Sequence, residues 1–113
     1  MLAIASCKNV RISPYKLRPY AKVVRGKSVE EAHAWLKNCG IKRVRPMIKT
    51  IASAYANVRH KHAGEYSARD VIIKEIRIDQ GPIVGYFKPA AMGRAMPQRK
   101  RLCHIMIVLD KVK

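Results

Sequence analysis

Apolar residues recur along this chain in helical spacing first and in strand spacing afterwards. Ser13-Pro14 marks a helix start, because serine can accept from the free N–H groups of the first turn and proline loses nothing at the first helical position. Leu17, Tyr20, Ala21 and Val24 follow on one face, ringed by Lys16, Arg18, Lys22 and Arg25, and Gly26 ends the run. Pro19 deletes a backbone hydrogen bond inside this helix, so a kink or an irregular first turn is expected. Ser28 and Glu31 form a capping box before a short second helix with Ala32, Trp35, Leu36 and Cys39 as its apolar stripe and Gly40 as its stop. The longest helical pattern spans Lys42 to about His62, with Val44, Ile48, Ile51, Tyr55 and Val58 on one face. It is predicted to be the spine of the core, with Trp35 packed into that core.

Three stretches read as strands. The first covers Leu2 to Ile12. The second starts at Val71-Ile72-Ile73 and continues with Ile76 and Ile78 alternating with Glu75, Arg77 and Asp79, and the third is His104 to Leu109. Pairing the last two leaves residues 80–103 as a hairpin arm, rich in glycine and proline, within a single domain over 1–113. About ten residues per strand at roughly 3.3 Å each would make the arm project on the order of 30 Å. The bland alternative is a disordered basic loop that orders on binding.

Charge changes the picture. The 113 residues hold 24 Lys+Arg against 7 Asp+Glu, a formal charge of +17, and such self-repulsion calls for a polyanionic partner. Residues 1–29 carry seven basic groups and no acid, as do residues 32–64, and Gln80 to Leu109 is free of acids. Basicity therefore belongs to the body as well as the arm. Three scattered cysteines, Cys7, Cys39 and Cys103, suggest neither a disulfide framework nor a zinc site, which fits a reducing compartment. Ile4-Ala5-Ser6-Cys7 looks like a lipoprotein box, but it lacks a basic n-region and a long enough apolar run. No stretch approaches the roughly twenty apolar residues of a membrane span, so the chain reads as soluble and cytoplasmic. No nucleophile frame or phosphate-binding glycine loop supports an enzyme, and no cofactor is implied. His60 and His62 have no carboxylate or cysteine clustered beside them, so no metal is assigned.

An ordered set of motifs then narrows the reading: Val10-Arg11-Ile12-Ser13-Pro14-Tyr15-Lys16-Leu17-Arg18-Pro19, Val24-Arg25-Gly26-Lys27-Ser28-Val29-Glu30-Glu31-Ala32, Lys74-Glu75-Ile76, Asp79-Gln80-Gly81-Pro82, Gly93-Arg94-Ala95 and Arg99-Lys100-Arg101-Leu102-Cys103-His104-Ile105. Over nearly the whole chain this resembles the bacterial-type ribosomal protein L-twenty-two family of the large subunit. The resemblance implies an α+β fold, three helices packed on a three-stranded antiparallel sheet, with a long protruding β-hairpin. It also implies a non-enzymatic constituent of the large ribosomal subunit that binds large-subunit rRNA, supports assembly and places its hairpin tip at the wall of the peptide exit tunnel. Neighbouring large-subunit proteins and the nascent peptide would be further partners; the residues themselves show no spanning stretch and no apolar dimer face, so no membrane and no homo-oligomer are expected. Relatives usually read Pro-Arg-Ala-Arg/Lys-Gly-Arg-Ala-Asp-Arg at the tip, where this chain has Pro89, Ala90, Ala91, Met92, Gly93, Arg94, Ala95, Met96 and Pro97. Arg94 is thus the one charge between Pro89 and Pro97.

The expected rRNA-binding residues are Arg11, Ser13, Tyr15, Lys16, Arg18, Lys22, Arg25 and Lys27 at the N-terminal end, Arg59 and His60 on the long helix, and Lys88, Arg94, Arg99, Lys100 and Arg101 on the arm. Tyr15 reads either as a base-stacking side chain or as a core-edge tyrosine, and His104 either as an RNA contact or as part of the sheet. Met92 and Met96 are soft contacts to rRNA or to a peptide, or loop variation. The rival class is a DNA-architectural protein whose basic β-arm wedges into the minor groove. An anionic-membrane binder would need a larger apolar helix face than the first helix has.

Overall fold

The computed structural model describes residues 2–112. Strand β1 (Ala3–Val10) leads into α1 (Pro14–Val24) and α2 (Val29–Asn38), and a single 3-10 turn at Lys42–Val44 runs into α3 (Arg45–Lys61). The two long strands β2 (Val71–Pro89) and β3 (Ala95–Lys111) follow, joined through a tight turn at Ala91–Gly93. The sheet is antiparallel in the order β1-β3-β2, so the last strand is central and the helices close the path from one edge to the other.

All three helices pack on one face of the sheet and share one apolar core. Leu17 and Val24 of α1, Leu36 of α2, and Met47, Ile51 and Val58 of α3 are fully buried against Ile73, Ile76, Ile105, Ile107 and Leu109. Each such side chain contributes about 1.5–3 kcal/mol by leaving water. The helical stripe of α3 is rotated from the predicted one: Met47, Thr50 and Ala54 are buried, whereas Ile48 and Tyr55 sit half-buried at its edge. Ala54 is fully buried in the core, and Thr50 is tolerated there because its hydroxyl donates to the Pro46 carbonyl at 2.7 Å.

Other expectations shift in ways the backbone explains. The first strand ends at Val10, not Ile12, after a bulge at which Asn9 takes φ +59. Pro19 does not interrupt α1; it is exposed, and in the first turn the Lys16 N–H donates to the Ser13 carbonyl at 3.1 Å. Ser28 caps α2 by accepting from the Glu31 N–H at 3.3 Å. Trp35 is half-buried rather than core, with Tyr20 6.3 Å away and the Lys27 ammonium 5.5 Å over its ring. Between Ile73 and Glu75 a bulge puts Lys74 and Glu75 outward together and returns Ile76 to the core.

Beyond the body β2 and β3 remain paired as a ribbon, Ile83 opposite Arg101 out to Pro89 opposite Ala95. The arm is a hairpin rather than a loose loop, and it stretches the molecule to 64 Å against 25 Å and 17 Å in the other directions. No helix among the described residues is long and apolar enough to cross a membrane.

Candidate nucleic-acid interface

The site begins where three strands become two. Val10 of β1 pairs with Cys103, and past that point only β2 and β3 continue. Two bulges flank this stretch of the central strand, one in β1 between Cys7 and Val10 and one in β2 between Gln80 and Ile83. The Asn9 N–H donates to His104 Nδ1 at 3.1 Å, which makes His104 part of the sheet junction. Gly81 lies so close to β3 that a Cβ there would sit 3.1 Å from the Leu102 carbonyl carbon and oxygen and 3.3 Å from His104 Cε1.

In the angle between arm and body lies a cavity of about 730 Å³. Arg11, Ser13 and Lys16 line it from the β1–α1 corner, Arg43 from the turn before α3, and Arg99, Lys100 and Arg101 from the arm, over an apolar floor of Ile12, Val84 and Leu102. Six cations thus converge on one concavity. The ion pairs of the described residues lie elsewhere: Arg69 with Glu30 at 2.8 Å, Arg77 with Glu75 at 3.0 Å and Lys74 with Asp110 at 3.9 Å. The Lys111 backbone N–H, 2.8 Å away, holds the Asp110 carboxyl below its usual range, helped by Lys74. No acid lines the groove, so its positive field is uncompensated. Arg43 escaped the sequence reading because it was absorbed into a helix start; the signal available was the run Lys42-Arg43-Val44-Arg45 without a nearby acid.

The remaining expected residues divide by position. Arg18, Lys22 and Arg25 line a separate depression against Ile76–Asp79. Two of them are engaged by the fold: Arg18 donates through Nε and Nη2 to the Ile78 carbonyl at 3.4 and 3.2 Å, and Arg25 Nη2 donates to the Ile76 carbonyl at 2.9 Å. Tyr15 is 67 % exposed, with the Arg18 guanidinium 5.2 Å over its ring, so it is not a core-edge residue. Lys27 covers Trp35, while Arg59 and His60 lie in a third depression at the end of α3, with Ala63 and Gly64. Among the described residues no cluster of His, Cys, Asp or Glu could hold a metal ion. Lys88 and Lys100 both lie over the Tyr86 ring, at 6.0 and 5.3 Å.

The tip is closed by the Ala90 N–H donating to the Arg94 carbonyl at 2.6 Å. Met92 at φ +62 and Gly93 at φ +71 turn the chain through two consecutive left-handed residues, and glycine takes the second without a steric cost. Met92 is 97 % exposed, Met96 is 56 % exposed and Arg94 is exposed. None of the tip residues Pro89 to Met96 lines the groove; they lie at the far end of the same ribbon.

Residues 5–110 match the family described as Ribosomal protein L22p/L17e. The chain belongs to this family of ribosomal proteins. It is 38 % identical over 113 residues to the large ribosomal subunit protein uL22 of Myxococcus xanthus, covering 100 % of this chain and 99 % of that protein. It is 40 % identical over 111 residues to the uL22 protein of Desulfitobacterium hafniense strain Y51, covering 98 % and 96 %, and 36 % identical over 111 residues to the uL22c protein of Chlorokybus atmophyticus, covering 98 % and 92 %. As an L22p/L17e member it is a structural ribosomal protein and not an enzyme. The α+β body and the hairpin are those the family resemblance implied.

Proposed function

We propose that this chain is a structural constituent of the large ribosomal subunit that binds large-subunit rRNA at the root of its arm, supports subunit assembly and lays the arm's tip along the wall of the peptide exit tunnel. The observation that carries the reading is the groove, where six cations and no acid line one concavity between body and arm. Phosphates entering it release condensed counterions, and arginines add planar paired hydrogen bonds. Duplex RNA hides its base edges in a narrow major groove, so such a surface reads shape, phosphates and splayed-out bases. A ribbon two strands wide can pass between RNA helices where a globular face cannot.

The elongated shape of the molecule, 64 Å along its longest axis, supports this role for the tip. With Arg94 as its one charge and two exposed methionines beside it, the tip suits a crowded wall shared by RNA, a neighbouring large-subunit protein and a passing nascent peptide. Two measurements test the function. Sedimentation of a lysate through a high-salt gradient should retain the protein in the large subunit; recovery with the nucleoid would favour the DNA-bending class instead. Replacing Arg11, Arg43, Arg99 and Arg101 by alanine should weaken binding to large-subunit rRNA and flatten its salt dependence by about 0.7–1 per contact removed. An unchanged slope would remove the groove from the interface.

A further inference from the structure

The two faces of the arm treat their aromatic residues differently. Ile83 pairs with Arg101, Gly85 with Arg99, Phe87 with Pro97 and Pro89 with Ala95, and strand alternation puts these pairs on one face. Val84, Tyr86 and Lys88 occupy the other. There the Tyr86 ring is half-buried and covered by Lys88 and Lys100. Phe87, by contrast, is 74 % exposed. Its surroundings leave room beside the ring. Gly85 has no side chain, and a Cβ built on it would meet nothing within 4 Å. Ile83 and Phe87, four residues apart, are separated by about 13 Å along the strand, so Gly85 opens a notch between two apolar side chains. Arg99 stands directly across that notch, with Arg101 one pair further toward the body.

We propose that Phe87 and the notch at Gly85 form a stacking site for the base of a single unpaired RNA nucleotide, whose flanking phosphates are held by Arg99 and Arg101. The proposal rests on the RNA-binding reading and adds to it a base contact, where the groove supplies phosphate contacts. A bare aromatic ring beside an empty notch accepts any base, since every base has a π-face, and two arginines with no acid from Gln80 to Leu109 give the nucleotide's charge a place to go. The base must be unpaired, because one held in a duplex cannot turn its face to the ring.

The test titrates the full chain into a short single-stranded RNA carrying a fluorescent purine analogue whose emission is quenched by stacking. Wild-type protein should bind with quenching. Phe87→Ala should bind about ten-fold more weakly or worse, without quenching and with the salt slope unchanged. Phe87→Trp should keep both affinity and quenching, while Gly85→Leu should lose the quenching although the ring remains. Arg99→Ala should reduce the slope. Phe87 is largely exposed, so these variants leave the core intact, as a thermal melt will verify. Equal binding and quenching by Phe87→Ala, or equal losses for Phe87→Ala and Phe87→Trp, would overturn the stacking site. If Phe87→Ala binds RNA normally but fails to enter the large subunit, the ring meets a protein and the proposal is again overturned. If alanine replacements in the groove abolish binding while Phe87→Ala does not, the stacking site alone fails; if the wild type binds no RNA, both readings fail.

Discussion

At Gly81 one methyl group decides whether the arm leaves the body where it does. A Cβ there would press within 3.1 Å of the Leu102 backbone, which cannot swing aside as a flexible side chain would. Gly81→Ala is expected to destabilise the protein by about 1–3 kcal/mol in thermal or urea unfolding, the usual cost of overpacking. Gly85→Ala, four residues along the strand and open to space, should instead be neutral or stabilising by up to about 1 kcal/mol. Equal effects at the two glycines would mean that the junction is not tight. Cys103 offers a second reading of the same junction. It is fully buried, and burial, followed by the nearby Cys7, pushes its thiol above the ordinary range. A pKa raised on folding gives stability that is present below the unfolded value of about 8.5 and lost as pH rises through the folded one. A thiol reagent should therefore label the half-buried Cys7 and Cys39 first, with Cys103 reacting after denaturation. Prompt labelling of all three would place Cys103 outside the core.

The arginines of α1 act at the scale of elements. β2 is an edge strand, and its outward carbonyls at Ile76 and Ile78 receive Arg25 and Arg18. Upstream, the Gly26 N–H donates to the Ile73 carbonyl and the Lys27 carbonyl accepts from the Ile73 N–H, both at 2.9 Å. Gly26 manages this at φ +84, a conformation that asks for glycine. The edge that would otherwise invite another strand is covered along the body. Arg18→Ala and Arg25→Ala should each cost about 0.5–1.5 kcal/mol of stability, while Lys22→Ala on the same helix should stay within about 0.5 kcal/mol. Identical stabilities would assign all three to the ligand alone. The helices were legible because Ser13-Pro14, Ser28 and the glycines punctuate them locally. The bulges at Asn9 and Lys74 were not, since a bulge resets the period of two on which strand reading depends. The buried face of α3 was misjudged toward large apolar residues, because Ala54 and Thr50 are buried by tertiary packing that local size and hydrophobicity do not signal. The arm was legible as a hairpin, because two strand patterns bracket residues 80–103, and its glycines and prolines do not prevent the pairing from Ile83 opposite Arg101 out to Pro89 opposite Ala95. Arg43 entered the site through folding, since residues 11, 43 and 99 meet only in three dimensions.

For the whole molecule, salt should act in opposite directions on the free and the bound protein. A formal charge of +17 on 113 residues is largely unpaired, because the ion pairs of the described residues draw on Glu30, Glu75 and Asp110 and leave the groove cations facing one another. At 0.1 M salt the screening length is about 10 Å, so added salt relieves repulsion among the groove cations. The melting temperature of the free protein should therefore rise by a few degrees between low and moderate salt. Over the same range affinity for large-subunit rRNA should fall, with a logarithmic slope of about −4 if six groove cations each displace counterions from single-stranded or irregular RNA. The two curves together separate causes that either alone would confuse. A melting temperature that falls with salt would mean that attraction within the few ion pairs outweighs repulsion in the groove. A slope near zero would mean that the groove stays empty of phosphate. If both trends hold, the same charges that strain the free protein bind it to RNA, and neutralising the groove with alanines should raise the low-salt melting temperature while it weakens binding.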